Sequence, residues 1–151
     1  MISGSTHIRL ERVTAGNVLA VCELRVAPEQ ESFVAPNAVS LAQAYVHDEA
    51  WCRAVYAGED LVGFVMLHDA PTGPGYMLWR LMIDARFQRK GFGRQTVHRV
   101  IDHVRTRPGA TVLSVGAHQG DGSPGPFYES LGFVATGEVI DGDENVYALA
   151  L

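Results

Sequence analysis

The sequence lacks the features that mark membrane, secreted and metal-binding proteins. No apolar run approaches the roughly 20 residues that a membrane-spanning helix requires, and the N-terminus shows no cationic start followed by an apolar stretch, which argues against a secretory signal. Only two cysteines occur, Cys22 and Cys52, and they favour a reducing compartment over a disulfide framework. The six histidines have no zinc-ligand spacing. We therefore expect a soluble, cytoplasmic protein without a metal.

The chain has the length and apolar content of one domain. Its 151 residues are 47% hydrophobic, which is enough for a substantial core. No internal repeat, linker or low-complexity tract divides it. We expect residues 1–151 to form a single domain.

Positive charge is scarce outside one segment. Residues 80–107 hold eight Arg or Lys and two Asp, whereas the rest of the chain holds four Arg and fifteen acids. This distribution argues against general nucleic-acid binding, which requires a broad positive face. A basic segment in an acidic body suits a small polyanionic ligand held beside a site that attracts cations, although acidic surface also simply aids solubility.

Hydrophobic periodicity predicts strands and helices in the order β-α-α-β-β-β-α-β-α-β-β. Alternation and β-branched runs predict strands at residues 7–13, 51–57, 61–67, 76–83, 111–115, 133–140 and 145–151. Helical spacing predicts helices at about 16–27, 40–46 and 92–107. A fourth helix of about two turns is predicted between Ser123, as its N-cap, and Gly132, as the left-handed residue that follows its last turn. Turns are expected at 58–60 and 71–75.

The stretch between the first two helices is the least regular. Pro28 ends the first helix, because the residue before a proline avoids helical dihedral angles, and Ser40 is the expected N-cap of the second. We expect Phe33, Asn37 and Tyr45 on irregular or short helical segments. Such segments often line a pocket over a rigid sheet, although each of these side chains also suits ordinary packing.

The stretch 81–94, L-M-I-D-A-R-F-Q-R-K-G-F-G-R, has the pattern of an anion site. An apolar strand ends at Asp84, a short basic loop follows, and glycines open a helix. The first N–H groups of a helix have no intrahelical partner, and the helix dipole adds about half a positive charge there. This pattern predicts a phosphate-bearing ligand.

Two segments together resemble a known family. Q-R-K-G-F-G at 88–93 resembles the Q/R-x-x-G-x-G/A pyrophosphate loop of the GNAT superfamily of acetyl-CoA-dependent N-acetyltransferases, and F-Y-E-S-L-G-F at 127–133 resembles its C-terminal signature. A lone G-x-G would be weak evidence, but the two signatures occur in the family's element order and the resemblance covers nearly the whole chain. It implies an α+β fold with a central, mostly antiparallel twisted sheet of about seven strands, flanked by about four helices.

The resemblance implies how acetyl-CoA binds. The backbone of the strand before the loop pairs with the pantetheine arm, and N–H groups of the loop cradle the pyrophosphate, which Gly91 and Gly93 allow to approach closely. The expected coenzyme-binding residues are Leu81, Met82, Ile83, Gln88, Arg89, Lys90, Gly91, Phe92, Gly93, Arg94, Asp121, Ser123 and Phe127. Asp121 departs from the family, since many members carry Asn there, and this departure puts side-chain contacts from Asp121 and Ser123 in doubt.

The resemblance also implies the acid of the reaction. Tyr128 matches the family tyrosine beside the coenzyme sulfur, where a phenol of pKa about 10 can protonate the departing thiolate. A backbone N–H near Leu81 or Met82 would hold the thioester carbonyl. A primary alkylamine is mostly protonated at neutral pH, so a base or water chain must take its proton. The candidates, acting through water, remain open: Glu23, Glu29, Glu31 and Asp84.

The acceptor is predicted from a closer resemblance. The stretches 24–44, 51–57 and 78–84 are similar to bacterial GNAT enzymes described as diamine or spermine/spermidine N-acetyltransferases, and an acidic body attracts such polycations. Candidate acceptor-binding residues, as ammonium partners, cation–π walls or apolar walls, are Glu29, Glu31, Asn37, Tyr45, Trp51 and Trp79. Direct attack in a ternary complex is expected, since neither cysteine is in an activated context. Members of the family are often dimers, which makes a homodimer one possible state, and no exposed apolar stripe in the sequence identifies an interface.

Two alternatives stay open at this point. The acceptor amine can instead belong to a protein N-terminus, a lysine or an aminoglycoside. A non-catalytic module that binds acyl-CoA and reports it to a partner protein would also contain the loop. Release of free thiol in the presence of amines separates the enzyme from the binding module.

Overall fold

The computed structural model describes residues 7–71 and 75–151, which are organised around a seven-stranded sheet in the order β1-β2-β3-β4-β5-β7-β6. The strands are β1 Ile8–Glu11, β2 Ala50–Ala57, β3 Asp60–Asp69, β4 Tyr76–Ile83, β5 Val112–His118, β6 Val134–Ile140 and β7 Glu144–Ala150. The helices are α1 Val18–Glu23, α2 Asn37–Val46, α3 Phe92–Arg105 and α4 Gly125–Ser130, with 3₁₀ turns at Pro28–Phe33 and Ala85–Phe87. The element order is the one predicted.

The pairing of β4 with β5 differs from every other strand pair. All other neighbours are antiparallel, whereas β4 and β5 are parallel and are joined through α3, as a parallel connection requires. Only three residue pairs join them, from Tyr76 with Leu113 to Leu78 with Val115. Trp79 is the extra residue of a bulge in β4, because Leu67 pairs with Leu78 and Met66 with Arg80. The two strands therefore separate beyond Leu78.

Each face of the sheet buries its own apolar cluster. On one face, α3 contributes an apolar stripe at i, i+3, i+4 and i+7, which is buried against β3, β4 and β5: Val97, Val100, Ile101 and Val104. On the other face, Val21 and Leu24 pack with Phe64, Met66 and Met82. Helices cover both faces of the sheet, so the central strands contain long runs of consecutive buried residues.

Several predicted boundaries were wrong in the region of the first two helices. The first helix spans six residues rather than twelve, because the chain is already extended at Leu24, four residues before Pro28. Ser40 is not an N-cap: α2 begins at Asn37, with Pro36 as the residue before it, and Ser40 is buried inside the helix. Tertiary packing of the apolar groups, rather than the capping preference of one serine, sets this boundary.

Other corrections are smaller. β1 ends at Glu11 and β3 extends to Asp69, and both differences are within the usual uncertainty of element ends. β5 extends three residues further than predicted, to His118. This difference is larger than an uncertain end, because all three added residues pair with β7. Two predictions fall outside the described residues. One is the expected lack of a secretory signal, which rests on residues 1–6, and the other is part of the predicted turn, residues 72–74. Among the helices of residues 7–71 and 75–151, none is long and apolar enough to cross a membrane.

The buried stripe of α3 leads to a first prediction. Val97→Ala removes two methyl groups from a fully buried position and should lower the free energy of unfolding by about 2 kcal/mol through lost burial and a residual cavity. Val46→Ala is the matched control, because Val46 is also helical but 70% exposed. Urea unfolding followed by circular dichroism measures both. An equal, small effect of the two substitutions would contradict this account of the core.

Candidate active site

A cavity of about 960 Å³ opens where β4 and β5 separate. Its wall includes β4 from Leu78 to Ile83, Val115 and Gly116 of β5, the loop before α3, and the start of α4. The 3₁₀ turn at Pro28–Phe33 reaches over it: a Cβ atom added at Gly122, in the β5–α4 loop, would lie 3.5 Å from Cε2 of Phe33. The gap in the sheet is thus lined by strand backbone, a helix N-terminus and the α1–α2 segment.

Asp84 holds the loop that follows β4. Its buried carboxylate accepts hydrogen bonds from the backbone N–H of Arg25 at 2.9 Å and from both the backbone N–H and Nε of Arg86 at 2.9 and 2.8 Å. Burial alone would raise the pKa of Asp84, but these hydrogen bonds outweigh it, so the pKa lies below its ordinary value. The carboxylate therefore stays ionised and fixes the end of β4 to the α1–α2 segment.

The side chain of Gln88 makes a second connection. Its Nε2 donates to the backbone oxygen of Ile83 at 2.9 Å and to Oε1 of Gln30 at 2.8 Å. Arg89 and Gly91 then adopt left-handed φ values of 63° and 84°. Gly91 is the N-cap of α3, and a residue with a Cβ atom is disfavoured there by its backbone conformation rather than by a clash.

The N-terminus of α3 faces the cavity. Phe92, Gly93 and Arg94 occupy its first turn, where the backbone N–H groups lack intrahelical partners and the dipole is positive. Arg89 and Arg94 also line the cavity, and Arg94 donates to Oγ of Ser130 at 3.1 Å. This end of the cavity combines free amide donors with two guanidinium groups, which suits a phosphate.

Tyr128 lies on α4, which is next to the N-terminus of α3: Arg94 bonds to Ser130 of α4. The helix ends as predicted at Gly132, with φ of 99°: Gly132 N–H donates to the Glu129 oxygen at 3.0 Å and Phe133 N–H to the Tyr128 oxygen at 3.1 Å, the paired bonds of a Schellman motif. The Tyr128 ring is buried between Phe127 and Phe133, and burial raises its pKa. Its side chain borders the cavity and keeps its proton over the working pH range.

Most predicted coenzyme-binding residues lie together around this cavity. Those that line it are Leu81, Met82, Ile83, Gln88, Arg89, Gly91, Phe92, Gly93, Arg94, Ser123 and Phe127, together with Tyr128. Lys90 and Asp121 are exposed and do not line it. The predicted N-cap at Ser123 was wrong, because the N-cap of α4 is Pro124 and the helix begins at Gly125. The hydroxyl of Ser123, one residue before the cap, accepts from the N–H of Gly125 at 3.1 Å.

The predicted acceptor-binding residues are scattered. Glu31 and Trp79 line the cavity, whereas Glu29 is exposed outside it. Asn37 is buried and donates from Nδ2 to the Val21 oxygen at 2.9 Å. Tyr45 is 90% exposed on α2, and Trp51 stacks on His103 with 4.2 Å between ring centroids, packed against the core that α3 covers.

Polar cavity residues that the sequence analysis missed include Gln43, Arg80, His118, Asp141 and Glu144, whereas Phe33, expected on a pocket-lining segment, does line the cavity. Arg80 reaches the cavity side of the sheet because the bulge at Trp79 shifts the alternation of β4, and a bulge has no reliable sequence signal. His118 and Glu144 face each other across β5 and β7. The extension of β5 by three residues was the missing information for that pair.

Comparison with known proteins identifies the family of this chain. Residues 18–133 match the Acetyltransferase (GNAT) family. The chain belongs to the GNAT family of acetyltransferases. It is therefore an acetyl-CoA-dependent N-acetyltransferase, which confirms the enzyme class and the α+β fold that the two signatures implied.

One curated relative is similar to this chain in sequence, and two solved structures are similar to it in fold. A spermine/spermidine N(1)-acetyltransferase of Bacillus subtilis is 31% identical over 103 residues, which cover 64% of this chain and 68% of the relative. A Bacillus subtilis acetyltransferase solved in complex with CoA has a TM-score of 0.71 and 17% identity, over 97% of this chain and 99% of its own. A spermidine N-acetyltransferase of Vibrio cholerae, solved with CoA and spermine, has a TM-score of 0.72 and 18% identity, over 95% of each chain.

The residues of the cavity fit a CoA thioester. The edge of β4 beyond Leu78 has no ladder partner on its β5 side among the described residues, so it can pair with an extended amide-bearing arm. The amide groups of the first turn of α3, with Arg89 and Arg94, fit a pyrophosphate. When bound, acetyl-CoA supplies an acetyl group on a thioester.

The Asp84 contacts predict a pH-dependent stability difference. Asp84→Asn places an amide N–H donor against the N–H donors of Arg25 or Arg86. The substitution should lower the free energy of unfolding by about 1–3 kcal/mol at pH 7. The pKa of Asp84 is lower in the folded state than in the unfolded state. The difference in unfolding free energy between wild type and variant is therefore full above the unfolded-state pKa of about 3.9, and it is lost as the pH falls through the folded-state pKa. Urea unfolding between pH 7 and pH 2 measures the difference. Asp102→Asn, at an exposed carboxylate paired with Arg99, is the control and should change little.

Proposed function

We propose that this chain transfers the acetyl group of acetyl-CoA to a primary amine of a small polyamine such as spermidine or spermine. Both substrates are bound together, and the amine attacks the thioester directly. The observation that carries the proposal is that Tyr128, the free edge of β4 and the N-terminus of α3 border one cavity. An acyl donor that follows the strand edge from the helix N-terminus has its thioester in the same cavity as the Tyr128 side chain.

The coenzyme contacts in this proposal come from backbone and cations. The N–H groups from Gln88 to Arg94 hold the pyrophosphate, with Arg89 and Arg94 as its charged partners. The backbone of Leu81, Met82 and Ile83 pairs with the pantetheine arm, and an N–H group near the bulge in β4 holds the thioester oxygen. Gln88 acts here mainly through its backbone, since its side chain is already bonded to Ile83 and Gln30.

The chemistry needs one acid and one route for amine protons. The nitrogen lone pair forms the new bond to the carbonyl carbon, the carbon–sulfur bond breaks, and the Tyr128 hydroxyl gives its proton to the departing sulfur. An alkylammonium carries two protons more than the amide product retains: one leaves before attack and the other returns to the Tyr128 oxygen. The overall reaction releases one proton, and the raised pKa of Tyr128 keeps that residue in its acid form.

A covalent route through cysteine has little support from the site. Burial raises the pKa of Cys52 to about 11, so its thiolate form is scarce near neutral pH. Neither Cys52 nor Cys22 lines the cavity, and both are free thiols. This supports direct attack in a ternary complex.

The polyamine assignment rests on relatives and on local charge. The Bacillus subtilis relative is named for spermine and spermidine, and the Vibrio cholerae enzyme was solved with spermine. In this chain, Glu31, Asp141 and Glu144 line the cavity as carboxylates, and Trp79 offers an aromatic wall. A cytoplasmic location, a single domain and a homodimer remain predictions.

A thiol-release assay tests the function. Purified protein with acetyl-CoA and a panel of amines should release CoA fastest with spermidine or spermine, because the cavity carboxylates bind a second ammonium. Monoamines of equal basicity are the control and should have a higher KM. Turnover on N-terminal peptides, lysine peptides or aminoglycosides but not on polyamines would overturn the acceptor alone. Binding of acetyl-CoA without thiol release from any amine would leave only an acyl-CoA-binding module.

The role of Tyr128 is tested separately. Tyr128→Phe should lower kcat by about 100-fold, because the thiolate loses its proton donor, and should leave acetyl-CoA affinity nearly unchanged. Tyr76→Phe is the matched control: Tyr76 is equally buried, but its hydroxyl donates to the Pro108 oxygen at 2.6 Å and it does not line the cavity. Stopped-flow thiol release and calorimetry measure the two quantities. Unchanged kcat in Tyr128→Phe would remove Tyr128 from the acid role.

A further inference from the structure

Glu144 is placed in the cavity by a close fit between two strands. It is the first residue of β7 and pairs with His118, in β5. Its carboxylate lies over Gly116: a Cβ atom added there would be 2.6 Å from Oε1 of Glu144. Glycine at 116 therefore leaves the space that the carboxylate occupies beside the gap between β4 and β5.

The carboxylate begins a line of titratable groups that leads outward. Oε2 of Glu144 is 3.7 Å from Nε2 of His118, and Nδ1 of His118 is 2.8 Å from Oδ1 of Asp143. The exposed fraction of the side chains rises along this line, from 21% for Glu144 to 35% for His118 and 57% for Asp143. An imidazole between two carboxylates can take a proton at one nitrogen and release one from the other.

The surroundings of Glu144 suit a base. Burial raises its pKa above the ordinary value; His118 and Arg80 act in the opposite direction, and Asp141 and Asp143 add to the rise. Arg80 does not neutralise it by a direct ion pair among the described residues, since its guanidinium is bonded to Oε1 of Gln43 at 2.9 Å and to the Trp79 oxygen at 3.2 Å. A carboxylate with a raised pKa takes up protons closer to neutral pH than an exposed one.

The other carboxylates considered from sequence are less suited. Asp84 is committed to three hydrogen bonds that lower its pKa, and Glu23 and Glu29 do not line the cavity. Glu31 lines it but is exposed on the 3₁₀ turn. Glu144 joins a cavity position to a path toward solvent.

We propose that Glu144 accepts the first proton of the acceptor ammonium, and that His118 and Asp143 conduct this proton to solvent. The inference rests on the proposed function. The N–H bond of the ammonium breaks and an O–H bond forms on Glu144, which leaves the nitrogen lone pair free to attack. Across the 3.7 Å between Glu144 and His118, one intervening water passes the proton to Nε2 of His118, and Nδ1 of His118 gives its proton to Asp143. Asp143 releases that proton to solvent and exchange with solvent restores the starting tautomer of His118, so Glu144 returns to its ionised form.

The decisive measurement is the pH profile of kcat/KM for Glu144→Gln. At pH 7 the variant should be about 100-fold slower, because general-base catalysis is lost. Its rate should rise steadily as the pH approaches the pKa of the amine, where free amine is already present. An acceptor amine that is neutral at pH 7 should show a much smaller defect. A merely structural role of Glu144 would give a loss that depends on neither pH nor acceptor basicity, and that result would overturn the proposal.

Controls separate proton transfer from binding. Asp141→Asn removes another carboxylate of the cavity and tolerates the left-handed φ of 48°. It should raise KM for polyamines and, because Asp141 adds to the raised pKa of Glu144, move the acidic limb of the pH profile to lower pH without the loss of rate at pH 7 expected for Glu144→Gln. His118→Gln leaves the Glu144 carboxylate in place but removes the imidazole of the relay. It should therefore lower turnover by a smaller factor than Glu144→Gln does. Acetyl-CoA affinity and thermal unfolding should be unchanged in Glu144→Gln, and a shared loss would overturn the assignment to proton transfer.

A readout without turnover completes the test. In the free protein, a ¹³C-detected titration of the Glu144 carboxyl should have its midpoint above the ordinary glutamate value of about 4.3, and this midpoint should fall when spermidine binds. An ordinary midpoint that spermidine does not move would overturn the role. Absence of thiol release by the wild-type protein with every amine overturns the proposed function and this role with it. Turnover by the wild type with an unaltered profile in Glu144→Gln overturns this role alone.

Discussion

The separation of β4 from β5 beyond Leu78 is the constraint on which the site depends. Parallel strands need a long crossover, here α3, and that crossover brings a helix N-terminus to the point where the ladder stops. The bulge at Trp79 turns Arg80 toward the cavity and leaves the backbone from Leu81 to Ile83 without a ladder partner on its β5 side in the described part of the chain. Continuous pairing of β4 with β5 would fill the gap and remove the cavity in which we propose that the thioester and the acceptor bind.

A gap in a sheet is costly unless its edges are held from elsewhere. Asp84 and Gln88 do this: one binds backbone N–H groups of Arg25 and Arg86, and the other bonds the end of β4 to Gln30 in the α1–α2 segment. Both side chains come from the loop that the sequence pattern assigns to phosphate binding. The loop thus has two tasks, since its backbone faces the cavity while its side chains fix the segment that covers it.

Local chemistry explains which parts were predictable. The α3 helix and the Gly132 end of α4 each follow from a short-range rule, and the structure has them where the sequence placed them. The α1–α2 segment was less predictable, because its boundaries depend on packing against β3 and β4 rather than on a cap such as Ser40. Cavity residues contributed by a bulge or by strand pairing, such as Arg80 and Glu144, needed the register of the sheet, which periodicity alone does not supply.

The overall acidity of the chain turns out to be a weak guide to the acceptor. Of the fifteen acids outside the basic segment, Glu31, Asp141 and Glu144 line the cavity, and Arg80 opposes them from β4. A polyamine can use this arrangement only if its distal ammonium lies toward the carboxylates and away from Arg80. Under the proposal that Glu144 takes the proton of the reacting nitrogen, Asp141 and Glu31 are left to bind the distal charge of a polyamine. The same proposal makes acceptor choice depend on the spacing between two nitrogens more than on total positive charge.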